Sequence, residues 1–399
     1  PRKKAGNRVR KLYGETSSPA ESLLKRMYAL AAELKSPDEF RENQIMRTLP
    51  EKELFRYPPE APYKVDAALT YQCNNRCSHC YNPPHRRDGF PADVNYRFEI
   101  LDKIHGMGVP HVIFTGGEPT LHLQLPRIIA YAEKLGMITG LNTNGRRLSD
   151  PGFVKQLEEA KLDHVQITIS SHVREKHNAA TGTESFLETV RGIRNAASSG
   201  IHTITNTTLT RHNCGDVKPL VSFLHDLGVR TFAMNGMIHS GCGANHPGSL
   251  REDELYPILS EVRDQAEKFG MKFLWYTPTR YCRFSPLSLG LDIKRCNAAE
   301  YSICIEPDGT VLPCQSYYQS GGNILTDSWE TIRESELFRS FRLRAQNPAL
   351  AGLPQSCARC PDYAICGGGC RLERDARQKA ESSSNGPGEN EKKFISCGR

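Results

Sequence analysis

Three cysteines stand at Cys73-x3-Cys77-x2-Cys80 spacing on one short loop, directly after the strand-like run Val65 to Thr70. Thiolates are soft ligands that suit zinc or iron–sulfur clusters. Either normally takes four ligands, and this loop supplies three. A cubane held by three cysteines keeps one iron open, much as a catalytic zinc site keeps an open position. Such an iron could bind a small molecule and pass it an electron. Zinc is the rival reading, because His79 lies within the loop and could be a fourth ligand.

The elements that must position this loop follow a regular pattern. β-rich runs recur near Val65, Val112, Thr139, Val165, Thr203 and Thr231. Amphipathic segments separate them, among them Phe153–Ala160, Phe186–Ala197 and Val217–Leu227. Strand, loop and helix in repetition imply βα units with right-handed crossovers and a parallel sheet. Six units predict an α/β fold built as a partial (β/α)6 barrel, with an open doubly wound sheet as the alternative. Asp253 to Phe269 reads as a further helix and Lys272–Tyr276 as a strand.

In parallel βα architectures function gathers at the carboxyl ends of the strands. The cysteine loop follows the first strand. Gly116-Gly117-Glu118-Pro119 follows the second, Asn144-Gly145 the third, and Thr168 and Ser170 close the fourth. Each signal is weak alone, since a Gly-Gly turn is usually only a turn. Together they fall on one rim.

With these residues assembled, the chain resembles the radical S-adenosylmethionine superfamily. The resemblance implies that Cys73, Cys77 and Cys80 hold a [4Fe–4S] cluster whose open iron chelates the amine and carboxylate of S-adenosylmethionine. It implies that Tyr81 lies near the adenine and that Gly116 and Gly117 let backbone approach the ligand. Glu118, with Pro119 behind it, is expected to receive the charged amine. Asn144, Thr168, Ser170 and Asn206 fall where the superfamily contacts ribose and carboxylate. Ser170 stands where an acid is common, which weakens the ribose assignments. The implied chemistry is reductive cleavage of the sulfonium to a 5′-deoxyadenosyl radical that removes a substrate hydrogen atom.

A second cysteine field runs Cys296-x12-Gly309-x4-Cys314, then Cys357-x2-Cys360-x5-Cys366-x3-Cys370, then Cys397. Zinc on Cys357, Cys360 and two later thiols is one reading the residues allow. The whole spacing is similar to the seven-cysteine SPASM domain. That likeness implies two auxiliary iron–sulfur clusters, one on Cys296, Cys314 and Cys370, the other on Cys357, Cys360, Cys366 and Cys397. The first lacks a named fourth ligand. Cys304 is the candidate, Cys282 the alternative, and an open corner or a buried strand thiol at Cys304 remain possible. Pro307-Asp308-Gly309 reads as a turn between the runs Tyr301–Ile305 and Val311–Pro313. Gly367-Gly368-Gly369 is expected to bend the chain tightly before Cys370. Cys242, in the loop after the sixth strand, is a candidate hydrogen-atom donor or an incidental thiol. Cys214 has no readable role, and His177 and His239 read as structural.

The bulk of the 399 residues sets bounds. Charged residues make up 24% and apolar ones 38%, as in ordinary globular proteins. No apolar run approaches the roughly 18 residues of a membrane span, and no signal peptide is legible. Fourteen cysteines in clusters point to metal and to a reducing cytoplasm. The net charge of +7 includes a basic arm at residues 1–13, which reads as a solvated terminus rather than a nucleic-acid contact. Three domains are expected: a helical extension at 1–64, the barrel at 65–277 and the SPASM domain at 278–399. Within the last, Glu381 to Lys393 reads as a mobile polar loop.

SPASM enzymes mostly modify peptides or proteins, so the expected activity is oxidative maturation of a peptide or protein substrate, fed by a flavodoxin or ferredoxin. Small-molecule or tetrapyrrole biosynthesis is the second expectation, and a non-catalytic metal-binding protein the third. Gln315 follows Cys314 where sulfatase-maturing relatives carry an acid, which argues against that branch.

Overall fold

The computed structural model describes residues 60–83 and 94–384. The expected amino-terminal helical extension, the basic arm and Cys397 lie outside the described residues, apart from the last few positions before the barrel.

Seven parallel strands form the expected barrel: β1 Lys64–Thr70, β2 His111–Gly116, β3 Ile138–Thr143, β4 His164–Thr168, β5 His202–Thr208, β6 Thr231–Asn235 and β7 Lys272–Trp275. Helices connect them: α1 Val94–Gly106, α2 Leu125–Lys134, α3 Pro151–Glu159, α4 Arg174–Thr181, α5 Phe186–Ala197, α6 Val217–Asp226 and α7 Leu255–Lys268. Their apolar stripes face the sheet. α2, for example, buries Leu125, Ile128, Ile129 and Ala132, the spacing of one helical face. Val65, Val112, Phe114, Leu141, Val165, Ile167 and Phe232 fill the sheet side of the core. Each such side chain contributes roughly 1.5–3 kcal/mol by leaving water.

The carboxyl-terminal part is not a separate body. β8 Ser302–Ile305 pairs in parallel with β1, and β9 Thr310–Leu312 and β10 Gly322–Asn323 extend the same sheet antiparallel. One ten-stranded sheet results, in the order β10-β9-β8-β1-β2-β3-β4-β5-β6-β7. The turn between β8 and β9 is the one read at Pro307-Asp308-Gly309: Gly309 has φ +87°, and Thr310 N–H donates to Asp308 Oδ1 at 3.0 Å. Short helices follow, α8 Trp329–Glu334, α9 Glu336–Arg342, α10 Gln355–Ala358 and α11 Tyr363–Cys366, before α12 Arg371–Ser384. α12 corrects the expectation of a loop from Glu381: the helix continues through Ser384. No helix among the described residues is long and apolar enough to cross a membrane.

At the amino end of the sheet, far along the strands from the rim, His111 and His164 face each other across β3 with their Nε2 atoms 2.9 Å apart. Gly140 makes room, since a Cβ there would stand 2.3 Å from His164 Cε1. Burial and the neighbouring His164 push His111 down to about 3, and burial foremost pushes His164 down to about 4. Both folded values lie below the ordinary histidine value, so the pair's stabilisation is whole above about pH 6.5 and is lost as pH falls toward 4 and then 3. Unfolding free energy measured from pH 7 to pH 4 is expected to fall by roughly 6 kcal/mol more than in a His111→Gln, His164→Leu double variant. Equal slopes would show that the pair does not titrate with folding.

Candidate functional site

The three-thiol loop is clamped on every side at the carboxyl rim. Gly117 N–H donates to Thr70 O at 2.7 Å and Glu118 N–H to Gln72 O at 2.8 Å, so the turn after β2 continues as a partner of the loop. Arg76 N–H and Ser78 N–H donate to Thr181 O and Ala180 O at the end of α4, at 2.8 and 3.0 Å. From β3, Asn144 Nδ2 donates to Asn74 Oδ1 at 2.7 Å, and Arg146 Nη1 donates to Asn74 O at 2.5 Å. Cys242 N–H donates to Cys80 O at 2.8 Å from a short 3-10 turn, Gly241–Asn245, after β6. Cys73, Cys77 and Cys80 are half-buried thiols on this fixed frame, and Asn75 N–H donates to Cys73 Sγ at 3.4 Å. Backbone N–H groups aimed at sulfur favour the charged thiolate that metal ligation needs.

The turn after β2, expected to meet the ligand, also serves the frame. Gly116 has φ +132°, and a Cβ there would stand 2.1 Å from Thr70 O. At Gly117 it would stand 2.4 Å from both Tyr71 O and Gln72 O. The bare glycines are therefore needed by the cluster loop's own backbone. Glu118 has no exposed surface. Its Oε1 accepts from Thr120 N–H, Thr120 Oγ1 and Thr143 Oγ1 at 3.0, 2.5 and 2.6 Å, and its Oε2 accepts from Asn144 N–H at 2.7 Å. Burial raises its carboxyl above the ordinary value despite these four bonds. The carboxylate thus ties the turn after β2 to the end of β3. Pro119 opens the 3-10 turn that Glu118 caps. Replacing Glu118 with glutamine places an N–H2 among four donors, and is expected to cost about 2–4 kcal/mol in chemical denaturation. A cost under about 0.5 kcal/mol would show that the cluster of bonds is not structural.

Of the remaining rim residues, Thr168 and Asn206 are brought side by side, paired in register across β4 and β5. Asn206 Oδ1 is buried without a hydrogen-bond partner among the described residues. A buried amide oxygen left open at the rim fits a ligand hydroxyl or ammonium group. Ser170 is buried; its N–H donates to His177 Nδ1 at 3.2 Å, and its carbonyl accepts from Asn213 Nδ2 at 2.9 Å. Asn144 serves the cluster loop through its side chain. His239 Nε2 contacts the Glu373 carboxylate on α12, and so ties the rim to the carboxyl-terminal part. Cys242 has its sulfur in a disulfide, so a role as hydrogen-atom donor requires that bridge to be open.

Side chains stitch the β8–β9 hairpin to the loop. Tyr71 Oη donates to Glu306 Oε1 at 2.9 Å, Tyr81 Oη to Gln315 Oε1 at 3.3 Å, and Tyr318 Oη to Asn82 Oδ1 at 2.5 Å. Burial pushes both Tyr71 and Tyr81 above the ordinary phenol value, so each keeps its proton for these bonds. Tyr81 and Gln315 are the residues next to Cys80 and Cys314. One hydrogen bond therefore joins the two cysteine fields. Buried Arg97 on α1 donates to Leu69 O at 3.0 Å and to Pro307 O, and so locks the hairpin turn to the end of β1.

The second field divides into two groups. Burial and the charge of Cys296 push Cys314 up to about 12, with Cys370 adding to it, and burial and Cys296 push Cys370 up to about 12. Three thiols that suppress one another's ionisation need cations to coexist as thiolates, and iron supplies them. Cys304, the candidate fourth ligand, is buried on β8 in register with Asp66 and Leu312. Burial, Asp66, Glu306 and then Cys314 hold its thiol well above the ordinary value. It sits among carboxylates, as a strand thiol does. Cys357, Cys360 and Cys366 form the other group. Cys282, the alternative for the first site, follows Tyr281, whose N–H donates to Cys366 Sγ at 3.4 Å. Gly367, Gly368 and Gly369 all have positive φ, the expected tight bend before Cys370. No three of these donors among the described residues converge tightly enough for one ion. Thiols at the corners of a cubane stand further apart than those around a single metal.

Asn74, Arg146, Thr143, Asn82, Tyr318, Glu306 and Arg97 carry much of this frame and were not singled out in the sequence. Polar residues next to strand ends were the one available signal. Their partners are far away in the chain, which no local pattern records.

A parallel partial barrel with three thiols after its first strand, joined to a second thiol-rich unit, defines an iron–sulfur enzyme. Residues 68–224 match the radical SAM superfamily, and residues 296–361 match the SPASM iron–sulfur cluster-binding domain. The chain is a radical SAM enzyme with a carboxyl-terminal SPASM domain, whose cofactors are a [4Fe–4S] cluster, S-adenosylmethionine and auxiliary iron–sulfur clusters. Among curated proteins it is similar to the mycofactocin maturase MftC of Mycobacterium ulcerans, 28% identical over 329 residues, covering 80% of this chain and 85% of that one. It is likewise similar to the PqqA peptide cyclase of Xanthomonas campestris, 26% identical, with 79% and 83% covered. The Fe-coproporphyrin III synthase of Methanosarcina barkeri is also 26% identical, with 77% and 83% covered. Streptococcus suis SuiB bound to its precursor peptide SuiA shares the fold, with a TM-score of 0.64 at 18% identity over 79% of this chain and 73% of that one.

Proposed function

We propose that this enzyme oxidatively modifies a peptide or protein, and that the observation carrying this reading is the junction of the two cysteine fields. The Tyr81–Gln315 hydrogen bond and the shared β1–β8 pairing support an electron acceptor near the radical-generating loop. Removing a hydrogen atom from a peptide leaves a carbon radical, and net oxidation requires a second electron to leave. When bound, the cluster and S-adenosylmethionine supply one-electron cleavage of a sulfonium and a 5′-deoxyadenosyl radical that takes that hydrogen.

The chain's own residues supply placement. Cys73, Cys77 and Cys80 hold the cluster, and the bonds from Asn144, Arg146, Ala180 and Thr181 keep the loop from shifting. Asn206, Thr168 and Ser170 would orient the ribose and carboxylate, and Tyr81, its hydroxyl held by Gln315, would serve the adenine. Cys296, Cys314 and Cys370 hold the first auxiliary cluster. Gln315 is an amide already engaged with Tyr81, so it offers no base at the position where sulfatase-maturing enzymes carry an acid. Similarity to a mycofactocin maturase and a peptide cyclase supports a peptide substrate. A flavodoxin or ferredoxin in a reducing cytoplasm would supply the first electron.

Similarity to the Fe-coproporphyrin III synthase supports a second reading, in which the substrate is a tetrapyrrole. The test is anaerobic turnover of reconstituted, reduced enzyme with two probes. One is the peptide encoded by a short reading frame beside this gene, the other an iron tetrapyrrole precursor from which an iron coproporphyrin could be formed. A mass change on the peptide, coupled to 5′-deoxyadenosine, is expected. Coupling to the tetrapyrrole alone would reverse the order of the two readings, and no 5′-deoxyadenosine with either would remove both.

A further inference from the structure

The segment Pro278 to Arg283, between β7 and β8, lies against the turn that carries Cys366 and Cys370. Cys370 N–H donates to Pro278 O at 3.0 Å, and Tyr281 N–H donates to Cys366 Sγ at 3.4 Å. Cys366 Sγ in turn stands 3.8 Å from Thr279 O. The approach is close enough that a Cβ on Gly369 would stand 3.0 Å from Arg280 N. Arg280 is pinned independently, since its N–H and Nε donate to the buried carboxylate of Glu252 at 2.9 and 2.7 Å. Cys282 therefore rides on a segment fixed at three neighbouring positions beside the Cys366 sulfur.

Cys360 N–H donates to Cys357 O at 3.2 Å and Cys366 N–H to Asp362 O at 2.8 Å, so one run of turns carries these three thiols beside the segment that bears Cys282. Cys282 and Cys360 are exposed, while Cys366 is buried, so the group spans from interior to surface. A four-iron cluster takes four protein thiolates when no corner is left for substrate.

We propose that Cys282 is a ligand of the second auxiliary cluster, closing with Cys357, Cys360 and Cys366 a set of four thiolates. This rests on the auxiliary-cluster reading of the SPASM domain. It takes the corner that the family spacing gives to Cys397, and supplies it from the segment that leaves the barrel. Cluster formation then couples β7 directly to the turn at Gly367–Gly369.

The test compares full-length wild type, Cys282→Ala, Cys282→Ser and Cys397→Ala, reconstituted anaerobically. Iron and sulfide are counted and reduced samples are examined by electron paramagnetic resonance. Wild type is expected to hold about twelve irons, Cys282→Ala about eight, and Cys397→Ala about twelve. Cys282→Ser is expected to keep the iron but to shift the resonance of one cluster, because oxygen replaces sulfur at one corner. Should Cys282→Ala lose all iron through misfolding, the serine variant decides by that shift. Full iron and an unchanged spectrum in both Cys282 variants overturn the proposal. About four irons in wild type would instead overturn the auxiliary-cluster reading beneath it.

Discussion

Replacing Cys77 with alanine is expected to lower 5′-deoxyadenosine release by more than about a hundredfold and to remove about four irons per chain, a larger loss than changing a residue that only hydrogen-bonds a metal ligand produces. The effect is chemical rather than structural. Arg76 N–H and Ser78 N–H on either side of Cys77 are anchored to Thr181 O and Ala180 O, so the backbone holds its course without the sulfur. Cys77 is half-buried, and its removal leaves two thiols where a cluster with one open iron requires three. The melting temperature of the metal-free protein is expected to match wild type, which separates ligand loss from misfolding. Retention of half the wild-type activity would mean that the loop does not hold the reactive centre.

Gly117→Ala is expected to cost about 3 kcal/mol and to abolish stable cluster assembly, although it adds one methyl group outside the cysteine motif. Its Cβ would stand 2.4 Å from the carbonyl oxygens of Tyr71 and Gln72. Those oxygens belong to the loop backbone, and Gln72 O already accepts from Glu118 N–H at 2.8 Å, so neither can swing aside as a side chain could. Relief requires the whole loop to withdraw from the turn after β2, which takes Cys73 with it. Gly215→Ala is the control, since nothing lies within 4 Å of its Cβ. Denaturant unfolding of the metal-free proteins and iron content after reconstitution check both variants. A Gly117→Ala protein as stable as Gly215→Ala, with full iron, would contradict the steric account.

Much of the barrel was legible because its signals are local. The run Val65 to Thr70, the helix Phe186–Ala197 and the helix read from Val217 all stand where period and turn residues put them, within a residue or two. The cysteine spacing marked the loop and the second field. What was hidden depends on partners distant in the chain. The Gly-Gly-Glu-Pro motif marks Glu118 for a ligand, but nothing local shows that its carboxylate is enclosed by Thr120, Thr143 and Asn144. Cys282 looks like an isolated thiol until Tyr281 N–H is found on Cys366 Sγ. The expected division at 278 missed that Ser302–Ile305 returns to the sheet, for a short apolar run does not announce which strand it will join.

That return has a consequence for how the enzyme came together and how it can be taken apart. β1 has a neighbour on both flanks, β2 within the barrel and β8 from beyond it. Cutting the chain before β8 would strip one flank of the strand that launches the cysteine loop, leaving a row of bare peptide groups that invites aggregation. The SPASM part is thus less an appended bead than the missing stave of the cask, and a catalytic half purified without it should be insoluble rather than merely slow.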